Sequence, residues 1–332
     1  MSGGVDSSTS AILLKKQGNQ VIGATLLLSS GTKAVEQAVK VCSKLKIPHY
    51  IFDFRKIFKE KVINYFIQEY QKGGTPNPCV KCNQYIKFGV LLKEGRKMGM
   101  DYLATGHYAR IKKDKDKYYL YKAKDKTKDQ SYFLYRLKQD QLKDTLFPLG
   151  DLMKEEVRKL AKKFSLPIIE GSESQEICFI DKEYKKFFKE NVKQIKKGPI
   201  LDKQGNVLGQ HQGIVFYTIG QRRGIKIAGT KPFYVININA KKNAIIAGEE
   251  KDLYKKELIA KDLNWIIIKK LDKLLKVKAK IRYLHQGAEA VICPFNKNRV
   301  RVKFKRSQRA ITPGQSIVFY QKDKVIGGGI IN

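Results

Sequence analysis

The chain of 332 residues has few cysteines, few acidic residues and no long apolar run. Five unevenly spaced cysteines do not make a disulfide scaffold, so we expect a reducing, cytoplasmic setting in which thiols are kept for chemistry. The longest apolar runs, such as Val21–Leu28, are far shorter than the roughly 20 residues needed to cross a bilayer. The start of the chain does not resemble a secretory leader. These absences argue against secreted and membrane-spanning proteins.

Basic residues are in large excess, with 67 Lys and Arg against 31 Asp and Glu and a net charge of +36. A field of this sign attracts polyanions, which favours a nucleic acid as the partner. Membrane binding ranks lower because no compact polybasic cluster stands beside an amphipathic anchor. A lysine-rich composition that merely solvates the surface would give the same charge, and this alternative stays open.

Residues 1–165 have the pattern of an α/β domain. Val21–Leu28 is typical of a strand buried on both faces, and His49–Asp53 predicts a second strand. Between them, apolar residues recur at helical spacing from Ala34 to Leu45. Strands that alternate with helices predict a doubly wound parallel sheet, in which ligands bind at the carboxyl ends of the strands.

The rest of the chain predicts two smaller β-rich domains, residues 166–258 and 259–332, the last of them a β-barrel. Short alternating runs follow one another between turns after about residue 198, among them Ile214–Ile219, Phe233–Ile238 and Arg299–Phe304. Regular short strands of this kind indicate sandwiches or barrels.

The strongest local motif is the segment Ser2-Gly3-Gly4-Val5-Asp6-Ser7-Ser8, which leads directly into a predicted helix. Its glycines allow a tight turn and a close approach to a ligand, and backbone N–H groups at the helix start bind anions such as pyrophosphate. Asp6 suggests a Mg²⁺ ligand or a helix cap. The Gly-Lys-Ser/Thr nucleotide loop is absent, so γ-phosphoryl transfer of that class is not indicated.

A second motif places two cysteines in the proline-stiffened segment Gly73–Asn83. We expect this segment to be an exposed loop that holds Cys79 and Cys82 in a fixed pose at a helix start. Lys81 and Lys87 nearby predict a lowered thiol pKa. A structural zinc site is disfavoured, because no second Cys-x-x-Cys supplies the remaining ligands.

The other three cysteines carry weaker signals. Cys178 lies in a polar loop, where a free cysteine alone is more often a small buried hydrophobic residue. Cys42 on an apolar helix face and Cys293 within a strand are interpreted as packing residues.

The Ser2–Ser8 segment resembles the loop of the pyrophosphatase-loop adenylating enzymes, which cleave ATP to AMP and pyrophosphate. Several further motifs in the same order make nearly the whole chain similar to the bacterial tRNA-specific 2-thiouridylase family. These motifs are Thr75–Asn83, Ala104–Tyr108, Lys128–Leu134, Gln175–Phe179, Gly209–Gly213 and Tyr217–Gly224.

The resemblance implies an adenylating α/β domain, a central β-rich domain and a C-terminal β-barrel. It implies that ATP with Mg²⁺ adenylates the C2 oxygen of the wobble uridine in tRNAs for Lys, Glu and Gln, and that a persulfide then replaces AMP with sulfur. The implied partners are tRNA and a cysteine desulfurase or sulfur-relay protein as persulfide donor. The implied enzyme is a cytoplasmic, monomeric tRNA-uridine 2-sulfurtransferase.

The resemblance also implies roles for individual residues. Cys82 matches the family's nucleophile and Cys178 the cysteine that receives the persulfide, and the two can form a disulfide. The residues that match ATP contacts are Ser2, Gly3, Gly4, Val5, Asp6, Ser7, Ser8, Leu26 and Gly106. Those that match contacts with the target base are Asn77, Pro78 and Cys79. Those that match tRNA contacts are His107, Lys128, Asp129, Gln130, Arg282, Tyr283 and Gln315.

The sequence departs from the family pattern in two places. The strand that normally precedes the phosphate loop is missing, so we expect the true product to begin about ten residues upstream. Cys79 stands where other members carry Asp, so it is not the obvious nucleophile. As an alternative, Cys79, Cys82 and Cys178 could hold a [4Fe–4S] cluster with an open iron site that binds sulfide. The alternatives for function are a truncated, non-catalytic tRNA-binding protein and another adenylating enzyme of the same loop class.

Overall fold

The computed structural model describes residues 1–29, 31–167, 177–180, 183–225, 227, 232–296 and 298–332. No helix within these ranges is long and apolar enough to span a membrane. The described chain divides into two compact units. The first comprises Met1–Val62, Cys79–Phe179 and Asp323–Val325, and the second comprises Ile63–Pro78, Ile180–Lys322 and Ile326–Asn332.

The helices lie mostly in the first half of the chain. The α-helices are α1 (Val5–Lys16), α2 (Lys33–Leu45), α3 (Arg55–Phe58), α4 (Asn64–Gln71), α5 (Pro78–Cys82), α6 (Leu92–Lys97), α7 (Gln139–Lys143), α8 (Lys154–Lys163) and α9 (Tyr184–Asn191). Two π-helical segments, Lys59–Ile63 and Asn83–Leu91, join α3 to α4 and α5 to α6. Short 3₁₀ turns lie at Ser131–Phe133, Ile214–Phe216 and Glu250–Leu253.

Strands dominate the second half. They are β1 (Gly23–Leu27), β2 (His49–Asp53), β3 (Leu103–Ala104), β4 (Ala109–Asp114), β5 (Lys117–Lys122), β6 (Thr145–Leu146), β7 (Gly198–Leu201), β8 (Val207–His211), β9 (Tyr234–Asn239), β10 (Ala244–Gly248), β11 (Tyr254–Trp265), β12 (Leu275–Lys280), β13 (Ala288–Asn296), β14 (Arg299–Arg309), β15 (Ser316–Gln321) and β16 (Lys324–Ile331).

The first unit contains the predicted parallel strands, in two separate pairs. β1 pairs with β2 from Gly23 opposite His49 onward, and β3 pairs with β6. The backbone of Met1 lies beside β1, where its amine bonds the Ala24 carbonyl and its own carbonyl accepts a bond from Thr25 Oγ1 at 2.8 Å. The α/β class is therefore confirmed, with its parallel strands grouped two by two.

Helices α1, α2 and α8 build a hydrophobic core in the first unit. On α2 the buried residues Ala38, Val41, Cys42 and Leu45 recur every three or four positions, so one stripe of the helix faces inward. Val41 and Leu45 pack with apolar residues of α1 and α8. Burial of Cys42 confirms its interpretation as a packing residue.

The second unit contains a four-stranded sheet with the strand order β8-β7-β10-β9 and a barrel. Barrel strands β11–β16 form a closed ring in the order β11-β14-β13-β12-β15-β16, and β16 pairs back onto β11. Inward side chains such as Val300, Val302 and Phe304 form its core. The predicted β-barrel is confirmed, and the predicted boundary at residue 258 falls within β11.

One predicted strand is wrong. Ile214–Phe216 is a 3₁₀ turn, in which the Phe216 amide donates to the Gly213 carbonyl and the Tyr217 amide to the Ile214 carbonyl. Gly213 has a φ of 137°, a left-handed conformation that favours glycine, and it turns the chain just before the apolar run. The run is apolar because Ile214 and Tyr217 join the core of the four-stranded sheet.

Candidate functional site

The phosphate loop forms as the sequence predicts. Gly3 adopts a φ of 73°, and α1 starts at Val5 directly after it. The hydroxyls of Ser7 and Ser8 donate to the Gly4 carbonyl at 3.2 and 2.9 Å, and Ser2 bonds Ser7 through its amide at 3.2 Å. These bonds fix the turn that carries the first amides of α1, which is the geometry that binds anions at helix N-termini.

Gly106 packs directly against the backbone of this loop. It follows β3, and a methyl group on its Cα would lie 2.8 Å from the Asp6 carbonyl carbon and 2.9 Å from the Ser7 amide nitrogen. Leu26 lies near the carboxyl end of β1, opposite Phe52 of β2. Only glycine fits between β3 and α1 here, so the approach of Gly106 to the loop is built into the fold.

Asp6 is held by two residues that sequence reasoning missed. Lys154 Nζ lies 2.7 and 2.9 Å from the two Asp6 carboxylate oxygens, and the Tyr108 hydroxyl donates to one of them at 2.8 Å. The Lys154 side chain is only 8% exposed. The helix-cap interpretation of Asp6 is therefore wrong, because the carboxylate points to these partners and no described side chain caps α1.

The cysteine motif is less exposed than predicted. Cys79 is exposed, but Cys82 is buried on the last turn of α5 and Lys81 is buried beside it, with its ammonium 5.7 Å from the Tyr85 ring. The following residue, Asn83, donates from its side chain to the Phe133 carbonyl at 3.1 Å. The motif is therefore the start of a packed helix and not an exposed loop.

Cys178 shares the electrostatic environment of the other two thiols. Its negative form raises the pKa of both Cys79 and Cys82, and the Lys87 ammonium lowers the pKa of all three. The neighbouring Phe179 ring packs against Phe58 at 5.7 Å, which holds this segment in the first unit. The charge of one lysine thus acts on two cysteines that are 96 positions apart in the chain. Both are free thiols, so the predicted disulfide is not formed in this structure.

The thiol pKa values are shifted in the direction opposite to the one that the sequence predicts. Burial raises the pKa of Cys82 to about 11, and this outweighs the opposite effect of Lys87. The pKa of Cys79 and Cys178 is raised as well, because the surrounding protein removes part of the water around each sulfur although both residues reach the surface. The expected lowering is therefore wrong, because the sequence shows the nearby cations but not the loss of water. At neutral pH the three thiols are protonated in this state.

This electrostatic arrangement predicts an effect of Lys87→Met. Without the positive charge of Lys87 the Cys82 thiolate is less stable, so the pKa of Cys82 rises further. Less thiolate is then present at pH 9, and iodoacetamide labelling of Cys82 slows several-fold. Lys87→Arg keeps the charge and the wild-type labelling rate. Peptide mass spectrometry of Cys82 between pH 7 and 11 measures the shift, with Lys93→Met, on the exposed side of α6, as the control. Equal labelling curves for Lys87→Met and wild type would contradict the assignment.

The residues matched to tRNA in the first unit are mostly bonded internally. His107 is buried between the Phe88 and Phe147 rings, bonds Thr105 Oγ1 at 2.8 Å, and has a pKa well below its ordinary value because burial disfavours the charged form. Asp129 is buried and accepts hydrogen bonds from the Ala123 and Ser131 amides. The Gln130 side-chain oxygen accepts from the Tyr108 amide, and the Gln130 amide donates to the Tyr108 carbonyl. The contacts of these residues with tRNA stay predictions.

The other predicted positions lie in the second unit. Gln315 donates to the Thr75 carbonyl at 2.8 Å, close to Asn77 and Pro78 in the chain. Arg282 donates to the Arg309 carbonyl at 3.1 Å, and Lys280 lies over the Tyr283 ring. Arg282, Tyr283 and Gln315 are each partly exposed.

The residues present do not form a metal-binding set. Among the described residues, which include Cys79, Cys82 and Cys178, no three His, Cys, Asp or Glu side chains are gathered as a metal site requires. The [4Fe–4S] alternative does not fit this arrangement.

Fold and loop together define an α/β protein with a glycine-rich phosphate-loop motif and two further β modules. Family models match in the same order: residues 1–182 the tRNA methyl transferase HUP domain, 185–249 the tRNA methyl transferase PRC-barrel domain, and 255–331 the aminomethyltransferase β-barrel domain.

Full-length relatives identify the family. The tRNA-specific 2-thiouridylase MnmA of Clostridium beijerinckii is 49% identical over 346 residues, covering 100% of this chain and 97% of the relative. MnmA 2 of Thermoanaerobacter pseudethanolicus is 50% identical over 349 residues, which cover 100% of this chain and 96% of the relative. The chain belongs to the tRNA-specific 2-thiouridylase family.

Solved structures show more distant likeness. A predicted subunit of tRNA methyltransferase from Methanocaldococcus jannaschii is 20% identical with a TM-score of 0.33, covering 48% of this chain and 72% of that one. The U34-tRNA thiolase NcsA from Methanococcus maripaludis, solved with its [4Fe-4S] cluster, is 21% identical with a TM-score of 0.36. The match covers 53% of this chain and 58% of that one.

Proposed function

We propose that this protein is a tRNA-uridine 2-sulfurtransferase that uses ATP to thiolate the wobble uridine of tRNAs for Lys, Glu and Gln. The observation that supports the proposal is that Cys82 and Cys178 belong to the same unit as the phosphate loop and that the charge of Lys87 acts on both thiols. Membership of the 2-thiouridylase family supports the same reaction class.

In the first step the uracil O2 attacks the α-phosphorus of ATP, a C2–O–P linkage forms, and pyrophosphate leaves. A carbonyl oxygen is a poor leaving group, and adenylation makes it a good one. The first amides of α1 and the Gly3-Gly4 turn would hold the phosphates, with Leu26 and Gly106 beside the nucleotide. Mg²⁺ would neutralise phosphate charge when bound with ATP.

In the second step a persulfide on Cys178 attacks C2 through its terminal sulfur. The C–S bond forms, the C–O bond breaks and AMP leaves. The Cys82 sulfur then attacks the Cys178 Sγ and gives up its proton to N3 of the ring, which breaks the S–S bond and leaves the electron pair on the 2-thio group. The resulting Cys82–Cys178 disulfide is reduced by an external dithiol, so the atoms and electrons balance.

The remaining residues would position the RNA. The target base would meet Asn77, Pro78 and Cys79, and the tRNA would contact His107, Lys128–Gln130, Arg282, Tyr283 and Gln315. The base must leave the anticodon stack to reach the loop, as is usual for enzymes that act on bases. We further propose three domains, residues 1–165, 166–258 and 259–332, in a cytoplasmic monomer that receives persulfide sulfur from a cysteine desulfurase or a sulfur-relay protein.

An in vitro assay tests this function. Purified protein is incubated with ATP, unmodified tRNA, a cysteine desulfurase, cysteine and dithiothreitol, and tRNA nucleosides are analysed by mass spectrometry. We expect 2-thiouridine at the wobble position and one AMP released per thiolation. ATP–pyrophosphate exchange without 2-thiouridine would indicate another adenylating enzyme. Binding of tRNA with neither activity would indicate a non-catalytic tRNA-binding protein.

A further inference from the structure

One strand of the barrel has a strictly alternating cationic face. Along β14, the inward positions are Val300, Val302 and Phe304 of the barrel core. The exposed positions between and beside them are all basic: Arg299, Arg301, Lys303 and Lys305. Alternate residues of a strand are roughly 6.8 Å apart, so these four cations form a line about 20 Å long.

The strands on either side of β14, together with β12 beyond β13, add few acidic residues to this face. Lys276 and Lys278 of β12 point outward in register with Val291 and Glu289 of β13. We define the barrel basic face as Lys276, Lys278, Arg299, Arg301, Lys303 and Lys305. Its acidic neighbours are Glu257, 3.3 Å from Lys303, and Glu289, 3.0 Å from Lys305. Both pairs are largely exposed and therefore weak, so phosphates can compete for these lysines.

Arginine is concentrated on β14. The chain has only twelve arginines among its 67 basic residues, yet four of them lie within this one strand. A lysine-rich composition that merely solvates the surface does not explain arginine at these positions. Arg309 pairs with Glu250, which leaves Arg299, Arg301 and Arg306 exposed to solvent. Guanidinium groups bind phosphate oxygens in a bidentate manner that lysine does not match.

An exposed aromatic ring lies within the same face. Phe295 of β13 is 40% exposed, and the Arg301 guanidinium lies 4.8 Å from its ring centre. Surfaces that bind single-stranded or looped RNA combine cations for the backbone with aromatic rings for bases. Membrane surfaces require a broad apolar face, which a single ring does not supply.

We infer that the barrel basic face, with Phe295, binds the sugar-phosphate backbone of RNA, which under the proposed function is the tRNA substrate. The inference rests on that function only for the identity of the RNA. Its contribution is electrostatic and independent of sequence, so it acts on affinity and on salt dependence and not on the chemical step.

The test compares two variants with equal charge loss. The face variant carries Arg299→Gln, Arg301→Gln, Lys303→Gln and Lys305→Gln, and the control carries Lys40→Gln, Lys44→Gln, Lys59→Gln and Lys61→Gln, all exposed positions of the first unit. Filter binding of unmodified tRNA is measured between 50 and 300 mM KCl, after thermal melting confirms that both variants fold. A parallel series uses vesicles with one quarter phosphatidylglycerol.

We expect the face variant to bind tRNA at least about tenfold more weakly at 150 mM KCl and to lower the slope of log K against log [KCl] by about 3–4. The control changes the slope by less than about one. Equal slopes for the face variant and the wild type, equal losses in both variants, or vesicle binding that depends on the same four residues would overturn the inference. Wild-type protein that binds tRNA in this manner but forms no 2-thiouridine would instead overturn the proposed function alone.

Discussion

Cys82→Ser and Cys178→Ser are each expected to abolish sulfur transfer to tRNA, with losses of at least about 10³-fold in single-turnover thiolation. A serine hydroxyl can neither carry a persulfide nor release one by thiol attack. Binding of tRNA and ATP–pyrophosphate exchange should stay within about twofold of wild type, since neither step uses the sulfur atoms. Quantification of 2-thiouridine by mass spectrometry, beside filter binding and exchange, separates these effects.

The matched control is Cys293→Ser. Cys293 is a partly exposed thiol on β13 of the barrel, and its Sγ faces the Arg301 carbonyl at 3.7 Å. It has no place in the proposed reaction, so full activity is expected. Retained thiolation in either Cys82→Ser or Cys178→Ser would show that the roles of the two cysteines are misassigned.

The second large effect is expected at Lys154. Lys154→Met leaves the Asp6 carboxylate at the start of α1 without its cation, and the negative charge then faces the phosphates that the loop would bind. We expect ATP–pyrophosphate exchange to fall by about 10²-fold, mainly through the KM for ATP, with partial recovery in Lys154→Arg. Tyr108→Phe, which removes the single hydroxyl bond to Asp6, should lose less.

A neighbouring lysine provides the comparison. Lys124 is exposed and lies 3.7 Å from the exposed Glu156, so Lys124→Met should change exchange by less than about twofold. Lys154 acts as a positioning residue, because it reaches the phosphate loop through Asp6. In the double variant Asp6→Asn with Lys154→Met, the two losses should not add, because both act through one ion pair. Additive losses would show that Lys154 acts independently of Asp6.

Local patterns made much of the fold predictable. The Gly3-Gly4 turn, the strand His49–Asp53 and the apolar stripe of α2 each depend on a few consecutive residues, and each appears where the sequence predicts it. The barrel strands were recognisable for the same reason, since inward and outward residues alternate along β14.

Contacts distant in the chain could not be predicted in this way. Asp6 and Lys154 are 148 positions apart, and no local pattern marks Lys154 as the buried member of a basic helix. The thiol pKa of Cys82 depends on how much water the fold removes, which the nearby lysines do not reveal. The family resemblance located the cysteines but not the sign of their pKa shifts.

The pairing of β16 with β11 has a consequence for assembly. In the described barrel each of the six strands has a bonded neighbour on both sides along part of its length, and the same sheet continues from β16 through β5 to β4. Backbone pairing between two copies would therefore add to β4, the edge strand of this sheet, and not to a strand of the closed ring.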